Sequence, residues 1–244
     1  MIEVRNLTKR FGDILAVNDV SFKIENCSVV GFLGPNGAGK STTIRLMSGV
    51  LQPDFGTAKI CGHEITTDGL HAQSCFGYLP EAAAGFGNLT VREFLTYCGE
   101  CRAMWGGSLT RAIERTTELI ELRPALDQEI RKLSKGWRQR AWLAQAILHD
   151  PPVLILDEPT DGLDPNQKDK INDLIRQKRV DKTIILSTHI LEEVEEVCDR
   201  VLLIANGSIV ADDTPENLVQ EFGSLSKAFR TLTTVELIPQ RHKV

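Results

Sequence analysis

The sequence predicts an α/β protein with an antiparallel β subdomain near its start and an α-helical subdomain inserted midway. Three observations lead there. Short apolar runs alternate with helical patterns. The early runs alternate apolar with polar residues between Gly and Asp turns, as an antiparallel sheet does. The later runs are continuously apolar, as in a buried parallel sheet, and between Thr90 and Leu148 strand signals vanish altogether.

Strands are expected at Ile2–Asn6, Val20–Ile24, Val29–Leu33 and Phe76–Leu79, then at Val153–Leu156, Thr183–Ser187, Arg200–Ala205 and Ser208–Ala211. Thr90-Val91-Arg92-Glu93 is a capping box opening a helix. Its apolar stripe reads Val91, Phe94, Leu95, Cys98, Cys101 and Trp105, so both thiols of the lone C-x-x-C are expected in the core. A second helix is expected from Thr110 to Leu122 before Pro124, and a third from Gly136 to Leu148 before Pro151. Thr214-Pro215-Glu216 reads as an N-cap, a first-turn proline and an acidic first turn.

Composition narrows the function. Of 244 residues, 42% are hydrophobic and 25% charged, which excludes a disordered chain. A net charge of −5 offers no basic field for nucleic acid. Runs such as Val201–Ala205 are far shorter than the ~20 residues that span a bilayer. The start, Met1-Ile2-Glu3-Val4-Arg5, lacks the pattern of a secretory signal. A cytoplasmic protein is expected, meeting a membrane only through a partner. A chain this long needs no disulfides, so its six cysteines are expected to stay reduced, and Cys61, His63, His71 and Cys75 lack standard zinc spacing. The acidic run Glu192, Glu193, Glu195 and Glu196 reads as a solvated helix face, as do Arg138 and Arg140.

Gly34-Pro35-Asn36-Gly37-Ala38-Gly39-Lys40-Ser41-Thr42 fits G-x-x-x-x-G-K-[ST] between an apolar strand and a helical stretch. The glycines let successive N–H groups converge on phosphate oxygens, and the following helix adds its positive end. Lys40 can reach the β- and γ-phosphates, and the Ser41 hydroxyl can ligate Mg²⁺. The run Val153–Leu156 ends in Asp157-Glu158. Asp157 can hold the Mg²⁺ hydration shell, and Glu158 can orient and polarise an attacking water.

These motifs resemble those of the nucleotide-binding subunit of an ABC transporter, over essentially all of residues 1–232. Gly34–Thr42 is similar to its Walker A motif, and Val153–Glu158 to Walker B with its glutamate. Leu133-Ser134-Lys135-Gly136-Trp137 sits where the family has LSGGQ. Gly162-Leu163-Asp164 resembles the D-loop, Ser187-Thr188-His189 the switch histidine, and Tyr78-Leu79-Pro80-Glu81 the Q-loop region. The resemblance implies a P-loop NTPase (RecA-like) core of about 1–85 and 150–222, a helical signature subdomain of about 86–149, and a tail over 233–244, with Ile238–Val244 frayed. Leu225–Thr233 resembles the family's terminal motif.

It also implies a mechanism. Two such subunits, a homodimer being expected, would sandwich two ATP molecules. Each nucleotide would meet Lys40 of one copy and Ser134 and Gly136 of the other. Phe11 would stack on adenine, His189 would bridge the γ-phosphate and the facing D-loop at Asp164, and Glu81 would stand beside Mg²⁺. Hydrolysis would reset a transmembrane permease. Glu81 replaces the family's Gln and Lys135 its first signature Gly, a combination similar to ABC-2-type exporters of the gliding-motility kind. Their opposite charges are expected to offset one another across the dimer. A soluble ABC ATPase acting on ribosomes or DNA is the alternative, disfavoured by a single cassette without heptads. Intact Lys40, Asp157, Glu158 and His189 speak against a silent binding module.

Overall fold

The computed structural model describes residues 1–82 and 84–234. Strands β1 (Ile2–Phe11) and β2 (Ile14–Ile24) form a long hairpin with Phe11 opposite Ile14. β3 (Val29–Leu33) departs from it and runs into helix α1 (Lys40–Met47). β4 (Phe55–Ile60) and β5 (His63–Glu64) return, giving an antiparallel sheet ordered β2-β1-β4-β5. The short helix α2 (Gly69–Ser74) then leads to β6 (Phe76–Leu79).

The inserted subdomain holds α3 (Val91–Cys101), α4 (Gly106–Leu119) and α5 (Lys135–Ile147). The chain then alternates through β7 (Val153–Asp157), α6 (Pro165–Lys178), β8 (Thr183–Thr188), α7 (Leu191–Val197) and β9 (Arg200–Ala205). β10 (Ser208–Asp213), α8 (Pro215–Phe222) and α9 (Leu225–Thr234) finish it. The second sheet is ordered β10-β9-β3-β8-β7-β6, parallel throughout except for the β9–β10 hairpin.

This parallel sheet is covered on both faces, which is why its strands read as continuous apolar runs. Along β3, Val29 and Leu33 join the core shared with the helical subdomain. Val30 and Phe32 join the core shared with α1 and the antiparallel sheet. An edge-to-face contact of Phe22 and Phe32, centroids 5.4 Å apart, ties the two sheets together. On the far side α5 lies so close to β6 that a Cβ on Gly77 would stand 1.8 Å from the Ala146 carbonyl oxygen. Only glycine fits there.

The structure corrects several expectations. β1 and β2 extend well beyond Ile2–Asn6 and Val20–Ile24, and the sequence reading overlooked β4 and β5. α4 starts four residues before Thr110 and ends before Leu122, because Gly106-Gly107 sits in a first turn, where Gly does little harm. The α3 stripe fades after Leu95: Cys98 is half-buried, Cys101 is exposed and Trp105 lies beyond the helix, 61% exposed. Arg138 and Arg140 are half-buried rather than solvated, with the Arg140 guanidinium 3.8 Å from the Trp137 ring centre. The expected tail Ile238–Val244 lies outside the described residues.

Candidate functional site

Four parallel strands end side by side in the order β3-β8-β7-β6. Ligands of open α/β sheets bind outside such carboxyl ends. β3 leads into the glycine-rich loop, β7 ends at Asp157 and is followed by Glu158, β8 ends one residue before His189, and β6 ends two before Glu81. Strand register, Asp157 beside Ser187 and Leu33 beside Thr188, brings these residues together from across 150 positions of sequence.

The loop is fixed by its glycines. Gly39 caps α1 at φ +107° with no side-chain cap, and a Cβ there would meet the Ala16 carbonyl oxygen at 2.5 Å. A helix start of this kind can hold an anion through its first-turn N–H groups. The same contact sets β2 of the hairpin against the loop. Phe11 lies at that hairpin's turn, 48% exposed, with the Lys9 ammonium 5.8 Å from its ring centre. It is thus an open aromatic face rather than a core residue.

Lys40 is only 6% exposed, and its ammonium donates to the carbonyls of Gly34 (2.8 Å) and Pro35 (3.2 Å). Burial lowers its pKa, against the pull of Glu158, Asp157 and Glu81. Ser41 Oγ donates to Asp157 Oδ1 at 3.1 Å and to the exposed Glu81 at 3.4 Å. Asp157 is fully buried. Ser187 Oγ also donates to Oδ1, while Oδ2 has no hydrogen-bond partner among the described residues. A buried carboxylate oxygen left bare beside a serine hydroxyl is a donor set suited to a hard cation. Burial raises the Asp157 pKa, against the hydrogen bonds from Ser187 and Ser41.

Glu158 adopts a left-handed backbone, φ +50°, held there by its N–H bonding to the Ser187 carbonyl (3.2 Å) and hydroxyl (3.1 Å). That turn aims its carboxylate at His189, Oε2 to Nδ1 3.0 Å. Burial raises the Glu158 pKa, opposed first by the His189 hydrogen bond. A carboxylate so placed, beside a half-exposed imidazole, is equipped to take a proton.

Three expected site residues lie apart from this group. Ser134 is the N-cap of α5, accepting from Trp137 N, and Asp164 is the N-cap of α6, accepting from Gln167 N. Gly136 packs against Leu163 and Gln167, so signature and D-loop segments adjoin. Among the described residues, no hydrogen bond or ion pair joins Ser134, Gly136 or Asp164 to the glycine-rich loop. Lys135 bonds Asp161 at 2.7 Å in its own chain. A cleft of about 650 Å³ lined by Trp137, Arg140, Asp164 and Lys170 opens beside this second surface.

The sequence reading missed the supports. Glu193, 5% exposed and not solvated, accepts from Thr160 Oγ1 (2.5 Å) and Thr188 Oγ1 (2.8 Å). It thereby ties the segment after Glu158 to the residue before His189. Gln139 of α5, also buried, donates to the carbonyl oxygens of Glu158 (3.2 Å) and Pro159 (3.4 Å).

A protein-family profile described as "ABC transporter" matches residues 17–161. The chain is 37% identical over 220 residues to the "Nod factor export ATP-binding protein I" of Burkholderia lata, covering 90% of this chain and 72% of that one. It is 36% identical over 222 residues to the "Probable multidrug ABC transporter ATP-binding protein YbhF" of Escherichia coli, covering 89% and 38%. A solved "ATP binding subunit of ABC transporter" superposes with TM-score 0.88 at 29% identity, covering 96% and 99%. A "Dimeric Structure of MJ0796, a Bacterial ABC Transporter Cassette" does so with TM-score 0.81 at 24% identity, covering 88% and 98%, a likeness of fold. The chain belongs to the ABC transporter family and is one of its ATP-binding, ATP-hydrolysing subunits.

Proposed function

We propose that two copies of this chain close around two ATP molecules and drive a separate transmembrane permease from the cytoplasmic face of the membrane. The permease is of the ABC-2 exporter type, similar to the gliding-motility group. Relatives named for Nod factor export and for multidrug transport support the exporter reading. Among the described residues no helix is long and apolar enough to cross a membrane. The net charge of −5 supplies no overall basic field to attract nucleic acid non-specifically.

The observation that carries the reading is the division of the expected phosphate contacts. Lys40, Ser41, Asp157, Glu158 and His189 converge at one set of strand ends. Ser134 and Gly136 stand at the start of α5, unbonded to that group, where a partner's nucleotide can reach them. In this reading the loop from Gly34 to Thr42 cradles the phosphates, Lys40 binds the outermost ones, and Phe11 stacks on adenine. Glu158 holds and polarises the attacking water. His189 fixes that carboxylate and meets the γ-phosphate, and Asp164 faces it from the other copy. Ser41, Asp157 and Glu81 would hold Mg²⁺, and the bare Asp157 Oδ2 fits that task. When bound, the ion neutralises charge on the phosphates.

Glu158→Gln tests the reading. With ATP and Mg²⁺ the variant should elute as a dimer and hydrolyse nothing, while binding ATP as the wild type does. A species that stays monomeric at saturating ATP refutes the shared site. Co-purification of the wild type with a multi-span membrane protein tests the permease.

A further inference from the structure

Away from the nucleotide site, the turn joining β5 to α2 gathers two imidazoles around one carboxylate. Asp68 Oδ2 lies 2.6 Å from His63 Nδ1, and Asp68 Oδ1 lies 2.5 Å from His71 Nδ1. The two rings stack with centres 5.4 Å apart. One ligand atom from each of the three residues lies within 4.8 Å of the others. We infer that His63, Asp68 and His71 form a binding site for a divalent transition-metal ion of the zinc class.

The backbone prepares this arrangement. Asp68 N bonds the Glu64 carbonyl at 2.8 Å and Ala72 N bonds the Asp68 carbonyl at 3.1 Å, so the turn is closed at both ends. His71 follows Asp68 by three residues and shares its helix face. Asp68 holds the N-cap position of α2 yet makes no cap hydrogen bond. Aspartate at that position ordinarily accepts from the first helical turn. Here its carboxylate turns to the imidazoles instead, and their hydrogen bonds hold its pKa below the ordinary value, His71 foremost.

The donor set selects the metal. Two imidazoles and a carboxylate suit zinc, whose bonds to nitrogen and oxygen of about 2.0–2.2 Å place tetrahedral ligands roughly 3.3 Å apart. The two Asp68–imidazole spacings need to open by less than about 1 Å, and the remaining spacings, none above 4.8 Å, need to close by roughly 1.5 Å at most, within the reach of side-chain rotation at this half-exposed turn. Three protein ligands leave one position for water or for a donor on another molecule. The wide gaps between 61, 63, 71 and 75 hid this trio from sequence, because the intervening aspartate belongs to no standard zinc pattern.

Nucleotide-free protein titrated with Co²⁺ tests it, since that ion colours visibly in tetrahedral sites. The wild type should take up one equivalent that Zn²⁺ displaces. His63→Asn and His71→Asn should each weaken binding at least about tenfold, the scale of losing metal-site support. Asp157→Asn and a Cys61→Ser/Cys75→Ser variant should bind as the wild type does, excluding the phosphate site and the neighbouring thiols. Circular dichroism checks that the histidine variants fold. Absence of uptake by the wild type, or uptake unchanged in both histidine variants, overturns the site. The first outcome would leave the trio as a hydrogen-bonded brace for the turn.

Discussion

The Glu193 carboxylate receives the Thr160 hydroxyl at 2.5 Å inside the core, and through its second oxygen it receives Thr188 as well. One buried acid thus fastens the segment that follows Glu158 to the strand end that precedes His189. The Glu158–His189 contact therefore depends on a residue that touches neither.

Removing that acid should be felt twice. Glu193→Ala leaves two buried hydroxyls without an acceptor, at a cost of about 1–3 kcal/mol in denaturant melts. ATP turnover should fall with it, while Glu193→Gln, which keeps one acceptor oxygen, should lose less of both. Thr160→Val and Glu193→Ala combined should destabilise less than the sum of the two single changes. Simple addition would show that the hydrogen bond contributes nothing.

Burial penalises the ionised form of Glu158. Burial holds the Glu158 carboxyl above its ordinary value, so the folded chain binds that proton more tightly than the unfolded one. Its penalty is absent below the unfolded value, grows as pH rises, and is complete above the folded value. Glu158→Gln should therefore raise the melting temperature at about pH 8 by a few degrees, roughly 2–4 °C for each kcal/mol. The gain should shrink as pH falls toward the ordinary carboxylate range. An equal gain at all pH values would assign it to backbone or packing instead.

Lys40→Ala should weaken ATP binding about 10-fold or more, the loss expected for one charged hydrogen-bonding group of ~1.5–3 kcal/mol. Calorimetric titration reads it directly. Unchanged affinity would detach Lys40 from the phosphates.

Lys135 answers to Asp161. Both side chains are about half exposed, so Lys135→Ala should change stability by less than ~1 kcal/mol. In ATPase assays Lys135→Ala and Asp161→Ala should be non-additive, whereas Lys135→Gly and Glu81→Gln should add. The reverse result would restore the pairing of Lys135 with Glu81 across the dimer.

Much of this was legible in the sequence, for physical reasons. β3, β6 and β9 fall at the expected residues because buried parallel strands are apolar throughout. The glycine-rich loop and Asp157-Glu158 were readable because their chemistry demands particular residues at fixed spacing. β4 was not, since Phe55-Gly56-Thr57-Ala58-Lys59-Ile60 mixes Gly and Lys on a largely exposed start. Glu193 was hidden among four glutamates. Only its placement four residues before the buried Val197 hinted at an inward face, and its partners Thr160 and Thr188 meet it through topology alone. The charge of Lys135 was plain, but its choice of acid was not.

α5 also has a mechanical consequence. Near its end, Ala146 presses on Gly77 and Gln145 Nε2 bonds the Tyr78 carbonyl at 2.6 Å, three residues before Glu81. Its beginning carries Ser134, about 18 Å away along a stiff rod. A tilt of only ~5° about that fulcrum swings the serine by about 1.5 Å, half the length of a hydrogen bond. Leverage of this kind converts a nudge felt at the β6 end into the making or breaking of a distant grip.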